Sequence, residues 1–508
     1  MTYGRQPRVA IDLDWIKDED GNVLGFMKDA RTFVPIAALN TDPLTGKATG
    51  LIDPKDGSVI ALGGKTADSI NSAITVYNAD GTTSKRCMPK NERLISKGVQ
   101  WFAPTALSGT AARSVVLDTT DAFVLADQST APGVIVNCLT AGFVGGMTWA
   151  TNLAMPSDGL LQALFWVDDY ENGQPWATGS LVVTLTGASG NIAYTYAATT
   201  FRPGLNTLQL WNPATAANAV CSKTGVSTAV NSSYNFTDNI TQVGITVNNM
   251  TLNANLRFAG IWTQTKVKPM LAVTFDVSAT DIFTNFIPAW QAAGYYCSLR
   301  SGGTDFYRST TYNALLLAAY NAGHDVYNGS WTRLNLTQST TSAQLAKEVG
   351  LQANYMQQKG YKRGATLFSS AGNALPKASV YRDIFPKFGI KSAKGGTGFN
   401  RANMFGPAGL DDRYYLTVQS YGSSASGAGG INAAKEQIDG IIYTGGLLMW
   451  FMHDCPTGRP SVGSVPAGNG GGIYAEDVPE MIAYLQGKGT AIEVVTQSTI
   501  DNVLDGLA

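Results

Sequence analysis

Histidine occurs only twice in 508 residues, as His324 and His453. His324 lies in Ala-Gly-His-Asp-Val-Tyr-Asn-Gly-Ser, residues 322–330, and His453 in Leu-Met-Trp-Phe-Met-His-Asp-Cys, residues 448–455. A third stretch, Met-Leu-Ala-Val-Thr-Phe-Asp-Val, residues 270–277, carries an apolar run up to a carboxylate, Asp276. A carboxylate that accepts a proton and an imidazole that returns it are the ingredients of general acid–base chemistry. The five cysteines, Cys87, Cys138, Cys221, Cys297 and Cys455, are widely spaced and form no C-x-x-C. That spacing argues against structural zinc and a dense disulfide framework, and for isolated buried thiols.

The elements that must position these groups are read from composition and periodicity. A chain of this length exceeds one ordinary core, so two to four domains are expected. Charged residues are 14%, against roughly 25% in an average soluble domain. Gly is abundant at 55 residues, and Thr, Ser, Asn and Ala fill long segments. This mixture suits turn-rich β structure with a weakly charged surface. A net charge of −1 implies no polyelectrolyte partner, and so no nucleic acid. The N-terminus lacks the apolar core of a signal peptide, and no run of about 18 apolar residues offers a membrane span.

Residues 1–105 are short extended runs broken by turn signals such as Asp-Gly and Gly-Asn, and are expected to form a β-rich N-terminal adaptor. Residues 106–266 keep period-two alternation, for example Ser-Leu-Val-Val-Thr-Leu-Thr-Gly at 180–187, and are expected to form a jelly-roll-like β-sandwich. Its Trp166, Trp176 and Trp211 could stack on sugar rings or fill the core. At about 267 the pattern changes. Helix-like stretches at 281–293, 309–322, 341–358 and 477–487 alternate with strand-like runs at 270–275, 295–299, 441–452 and 491–496. This alternation predicts a parallel α/β sheet. Residues 395–435, rich in Gly, Ser and Ala, read as a long loop at a binding face.

The quoted stretches, with 316–326 and 478–489, follow one another in the order and spacing of the polysaccharide deacetylase family, which residues 270–500 resemble. The resemblance covers just under half of the chain and implies a distorted (β/α) barrel. In that family a Thr-Phe-Asp-Asp motif supplies a general base and a metal ligand. A Gly-His-Glu-Ile-Gly-Asn-His-Thr-x-x-His motif supplies two further ligands, and a late histidine acts as general acid. The cation polarises a carbonyl and activates water. On this resemblance Asp276 stands at the position of the base and His453 at that of the acid.

The three ligand positions carry no ligand. They fall on Val277, Gly329 and Arg333. His324 falls on a histidine of the motif that does not bind metal; sliding the motif to make His324 a ligand beside Asn328 breaks the match to Gly-His-Glu-Ile. The resemblance therefore implies no metal and no other cofactor. Asp276 and His453 are left either as a metal-free acid/base pair or as a vestigial, hydrogen-bonded pair. Arg333, Trp331, His324 and Trp450 are the candidate glycan-binding residues, Arg333 as a fixed positive charge near the former metal position.

The order of a β adaptor, a sandwich and a deacetylase-like barrel resembles bacteriophage tail fibres and tailspikes. The stretch Gly-Ile-Trp-Thr-Gln-Thr-Lys-Val-Lys-Pro-Met-Leu-Ala-Val-Thr-Phe-Asp, 260–276, is similar to the sandwich-to-deacetylase junction of such proteins. The resemblance implies a homotrimer in the virion, made in the host cytoplasm, attached to other tail or baseplate proteins by its N-terminus and meeting host surface polysaccharide distally. Three roles follow: a receptor-binding protein with a degenerate, metal-less barrel; an active tailspike deacetylase or esterase; and a structural fibre or baseplate component.

Overall fold

The computed structural model describes strands within residues 4–87 and most of residues 99–504. Between 99 and 504, the segments 105–114, 125–129, 137–143, 157–159, 168–177, 199–200, 202–203, 212–226, 231–236, 252–255, 264–266, 277–279, 303–308, 398–404, 407–408, 411–412, 422–429 and 467–470 lie outside the described residues. By contact the chain divides into Met1–Lys90 and Asn91–Ala508. In the first unit the described strands pair antiparallel, as in Asp14–Lys17 with Val23–Asp29 and Ala73–Tyr77 with Thr83–Cys87.

In the second unit, alternation produces two antiparallel sheets around one core. Thr178–Gly187 pairs with Gly190–Ala197, so that Leu181, Val183 and Leu185 face Tyr196, Tyr194 and Ile192. All six are buried, while Val182 and Thr184 between them are half-buried, as a period of two requires. These strands belong to a five-stranded sheet with Val144–Leu153, Ile240–Thr251 and Ser227–Val230. Opposite it stands a six-stranded sheet in which Leu256–Thr263 has Leu160–Val167 along one edge. Its other edge is shared by Thr130–Val136 and Val99–Phe102. Gly260 marks the change of partner: its φ is +124°, and a Cβ there would lie 2.3 Å from the Phe102 carbonyl oxygen. Phe165 and Phe258, 4.9 Å apart, centre the core with Phe102 and Trp149.

Two expectations change here. Val99–Phe102, assigned from sequence to the N-terminal region, is a strand of the sandwich. Trp166 is neither a core residue nor fully open, at 38% exposure. Trp176 and the side chain of Trp211 lie outside the described residues.

From Met270 onward eight strands, most of them followed by a helix, pair in parallel; a short antiparallel pair, Phe405–Gly406 with Gly409–Leu410, stands apart from their sheet. We label them β1 (Met270–Phe275), β2 (Ser298–Ser301), β3 (Asp325–Asn328), β4 (Leu367–Phe368), β5 (Ser392–Thr397), β6 (Leu416–Ser420), β7 (Leu447–Met452) and β8 (Glu493–Val495). Each of β1 to β6 pairs with the next, and β7 pairs with β1 along its whole length. The sheet is thus a nearly closed parallel barrel. Its distortion is local: the second edge of β1 is shared, residues 270–272 pairing with β8 and residues 274–275 with β2. Alternate residues of β1 divide inside from outside. Met270 and Ala272 pack with Leu416, Val418, Met449 and Phe451, whereas Leu271, Val273 and Phe275 pack against the helical layer with Phe286 and Trp290.

The helices carry their own boundaries. Ser342–Lys359 begins at a capping box between Thr341 and Gln344 and ends at Gly360 in the left-handed conformation, φ 78°. Two sequence readings are corrected. Residues 441–444 end the helix Gly430–Thr444 and do not extend β7. The span 395–435 is not one loop, since it holds the end of β5, all of β6 and the start of that helix.

The last helix, Gln497–Leu504, is tied to the N-terminal end of the barrel. Buried Asp501 accepts from the hydroxyls of Thr366 and Ser392 and from Gln497 Nε2. The Ser498 N–H donates to Asp325 Oδ2 at 2.7 Å. Asp501→Ala leaves these buried donors without their acceptor, and should lower unfolding stability by about 1–3 kcal/mol in chemical denaturation.

Candidate functional site

Barrel sites form at the C-terminal ends of the strands. Asp276 follows β1 and His453 follows β7. The register sets Phe275 beside Met452, and the Asp276 N–H donates to the Met452 carbonyl at 2.9 Å. The two residues expected as base and acid are therefore neighbours on adjacent strand ends.

The partners of Asp276 come from across the barrel. Lys394, on β5, is fully buried, and its Nζ lies 2.5 Å from Asp276 Oδ1. The same ammonium donates to Tyr327 Oη at 3.0 Å and to Thr274 Oγ1 at 3.1 Å. All three of its protons are thereby used. Tyr327, on β3, directs its hydroxyl to Asp276 Oδ1 and to the Phe275 carbonyl. Thr274 in turn donates to the Trp450 carbonyl at 2.8 Å, joining β1 to β7. Burial alone would raise the Asp276 carboxyl. Lys394 and Arg300, with hydrogen bonds from Lys394 and Tyr327, outweigh it and hold the carboxyl below the usual carboxylate range. Burial lowers the Lys394 ammonium against the pull of Asp276.

Arg300, on β2, is the second cation of the floor and is 2% exposed. Its side chain lies over Gly329: a Cβ at 329 would come within 2.3 Å of Arg300 Cγ and 2.5 Å of its Nε. Residues 329–333 then pass along the helix Ser342–Lys359. Glu348 on that helix accepts from the Thr332 N–H at 2.8 Å and from its hydroxyl at 2.6 Å, and the Trp331 N–H donates to the Glu348 carbonyl. Asn328 holds the Ser330 N–H and donates to the Val349 carbonyl. These ties sustain two non-glycine residues in the left-handed region, Ser330 at φ 63° and Arg333 at φ 57°. Such backbone conformations cost on the order of 1–3 kcal/mol each and persist only where surroundings impose them.

His453 is half-buried. Burial lowers its imidazole below the ordinary value, with Lys394 and Arg300 acting in the same sense and Asp276 and Asp454 against them. Its Nδ1 is buried and has no hydrogen-bond partner among the described residues. Arg333 and Trp331 are half-buried, and Trp331 meets Tyr355 edge-on with ring centroids 6.4 Å apart.

Two expected binding residues are placed in the core instead. His324 is fully buried at the N-terminal end of β3, where its Nδ1 accepts the Cys297 N–H. Trp450 is also fully buried. It faces the helical layer, with its Nε1 donating to Gln437 Oε1 at 2.6 Å. Neither reaches the mouth. Sequence reasoning missed Lys394, Arg300 and Tyr327. Tyr327 stood inside the stretch quoted around His324, but Lys394 lay beside the segment read as a loop.

A divalent metal does not fit these residues. The carboxylate it would need is held by an ammonium, and the space a ligand at 329 would occupy belongs to a guanidinium. Among the described residues no three of His, Cys, Asp and Glu are grouped to hold an ion. Val277 lies outside them.

No family model matches the chain, and no curated protein does. Solved structures similar to it are family 4 carbohydrate esterases. The Xyl-CE4 domain of a multidomain xylanase from the hindgut metagenome of Trinervitermes trinervoides is 11% identical, covers 46% of this chain and 89% of its own, and gives a TM-score of 0.29. A family 4 carbohydrate esterase from Streptomyces lividans in complex with acetate is 16% identical, over 44% of this chain and 91% of its own, at a TM-score of 0.28. A peptidoglycan deacetylase from Bacillus subtilis is 16% identical, over 46% and 91%, at 0.28. At these identities and TM-scores the likeness assigns neither chemistry nor ligand to this chain.

The Asp276–Lys394 pair has a measurable consequence. Asp276→Asn or Lys394→Met alone strands a buried charge and should cost about 3–5 kcal/mol of unfolding stability, whereas the double variant should recover most of it. The Asp276 carboxyl is depressed in the folded state. Its contribution is therefore fully present above the unfolded value, near pH 4, and is lost as pH falls through the lower folded value. Denaturation curves of wild type and Asp276→Asn should converge in that acid window. A gap independent of pH would show that Asp276 is not ionised in the fold.

Proposed function

We propose that the barrel mouth binds glycan without hydrolysing it, and that the chain is a receptor-binding protein of a phage tail. The observation that carries this reading is the Lys394 ammonium seated on Asp276. A carboxylate held low by two cations is a weak base. His453, depressed by burial and without a partner on Nδ1, is poorly set to deliver a proton. The mouth still offers what sugar recognition uses: the half-buried Trp331 ring, the Arg333 guanidinium and fixed polar groups below them. On this reading the partners are host surface polysaccharide at the barrel and other tail or baseplate proteins at the N-terminus. The chain works as a homotrimer in the virion.

A second reading has one observation in its favour. Asp276 and His453 sit side by side on adjacent strand ends, the arrangement a metal-free acid/base pair needs.

Acetate release from acetylated chitooligosaccharides and acetylated xylan separates the two. The full chain should release none above background, with or without added zinc, cobalt or nickel, yet should bind host surface glycans. Release abolished by a chelator would overturn the reading. Release insensitive to chelator but lost in Asp276→Asn would establish the second.

A further inference from the structure

One flank of the barrel carries an aromatic pair just outside the mouth. Trp331 stands on the loop after β3, and its ring meets that of Tyr355 edge-on, with the planes at 65° and the centroids 6.4 Å apart. Tyr355 belongs to the helix Ser342–Lys359, whose N-terminal end lies on the side of the mouth. A long side chain on a helix points back toward the helix N-terminus, so the Tyr355 ring is carried toward the mouth. Its hydroxyl donates to Asn313 Oδ1 at 3.3 Å, in the first turn of the helix Thr310–Asn321 that follows β2. The ring thus bridges two helices beside the loop that holds Trp331.

Both rings are half-buried, and in an edge-on pair neither ring covers both faces of the other. Apolar side chains flank them. Leu351, one turn before Tyr355 on the same helix face, and Leu334, three residues past Trp331, are each 39% exposed. Polar groups are set around the rings: the Asn313 amide, the Tyr355 hydroxyl and the Lys359 ammonium, which lies 5.6 Å from the Tyr355 ring centroid. The result is a shelf of aromatic and aliphatic surface with hydrogen-bonding groups at its rim. A pyranose has the matching chemistry, C–H faces that stack on rings and hydroxyl edges that exchange hydrogen bonds. Tyrosine and tryptophan supply such contact at low cost in conformational entropy. A protein partner would need a wider apolar core than this shelf, broken by polar atoms, provides. The shelf is also continuous with the mouth. Glu348 accepts from the Thr332 N–H and hydroxyl and from the Trp331 N–H, so the loop that carries Trp331 is tied to the helix that carries Tyr355.

We infer that this shelf is a second sugar subsite, which receives the part of a β-linked, gluco-configured chain that extends beyond the mouth, with Tyr355 as its stacking platform. The chain leaves the mouth over Trp331 and runs across Tyr355 and Leu351. Equatorial substituents leave both faces of each sugar as C–H surface, and β-1,4 linkage keeps the chain extended enough to reach from mouth to shelf. The inference rests on the glycan-binding reading above. It adds Tyr355 as a specificity-determining residue and makes the barrel a reader of chain length.

The test is calorimetric titration of the full chain with chitobiose, chitohexaose, cellobiose and cellohexaose, beside a glycan array. The expected result is that a hexasaccharide of either series binds about tenfold more tightly than its disaccharide. Tyr355→Ala should remove that gain, and Tyr355→Phe, which keeps the ring, should keep it. Trp331→Ala should weaken both lengths. If Tyr355→Ala does not fold like wild type by circular dichroism, Leu351→Glu takes its place at an exposed position and should abolish the gain. Equal affinity for disaccharide and hexasaccharide, or a gain retained in the folded variant, overturns the inference and leaves the glycan-binding reading standing. Binding confined to glycans outside both series does the same. Loss of subunit association by light scattering in Tyr355→Ala, with hexasaccharide affinity unchanged, would make the shelf a contact between copies of the chain and also overturns the inference. Binding to no glycan of any kind overturns the glycan-binding reading as well.

Discussion

An ammonium and a carboxylate buried together at the centre of a barrel are the constraint on which the C-terminal half depends. Taking both charges out of water is expensive, and mutual attraction repays it only when geometry is good and every proton has an acceptor. The Lys394 ammonium meets that condition through Asp276, Tyr327 and Thr274. These four residues stand on or directly after three different strands, β1, β3 and β5. The pair can be satisfied only when those strands have closed into one barrel. It therefore specifies the barrel's register at least as much as it stabilises it.

Other features of the mouth follow from how the cations are accommodated. Arg300 lies where a side chain at 329 would stand, so Gly329 is fixed by close approach and not by turn geometry. The chain beyond it must then bend through left-handed backbone at Ser330 and Arg333, and the helix carrying Glu348 supplies the hydrogen bonds that keep it there. At the opposite end the final helix is fastened through Asp501 and Asp325. The strands are thus fastened at both ends, and Trp331 and Arg333 are carried on a loop that these hydrogen bonds tie to the helix Ser342–Lys359.

Much of this was legible before any coordinates. Period-two alternation marks strands such as Thr178–Gly187, because one face of each packs on the core, and strand–helix alternation after Lys266 marks the parallel barrel. The position of Asp276 at the end of an apolar run also gave its place at the mouth. What failed has physical causes. A strand as short as β6, set among Gly and Ser, is held by barrel pairing more than by its own periodicity, so 395–435 read as loop. His324 and Trp450 belong to recognisable stretches, but position in a stretch does not say which face or which end of the barrel a side chain meets. Lys394 was invisible because a lysine is ordinarily a surface residue; only closure of the barrel brings it to Asp276.

The most direct measurement is a crystal structure of the full chain grown with excess zinc, with an anomalous difference map at the zinc edge. The account requires no anomalous peak at the Asp276 carboxylate, Lys394 still in contact with it, and Arg300 still over Gly329. A zinc peak bound by Asp276 and His453, with Lys394 swung away, would contradict it.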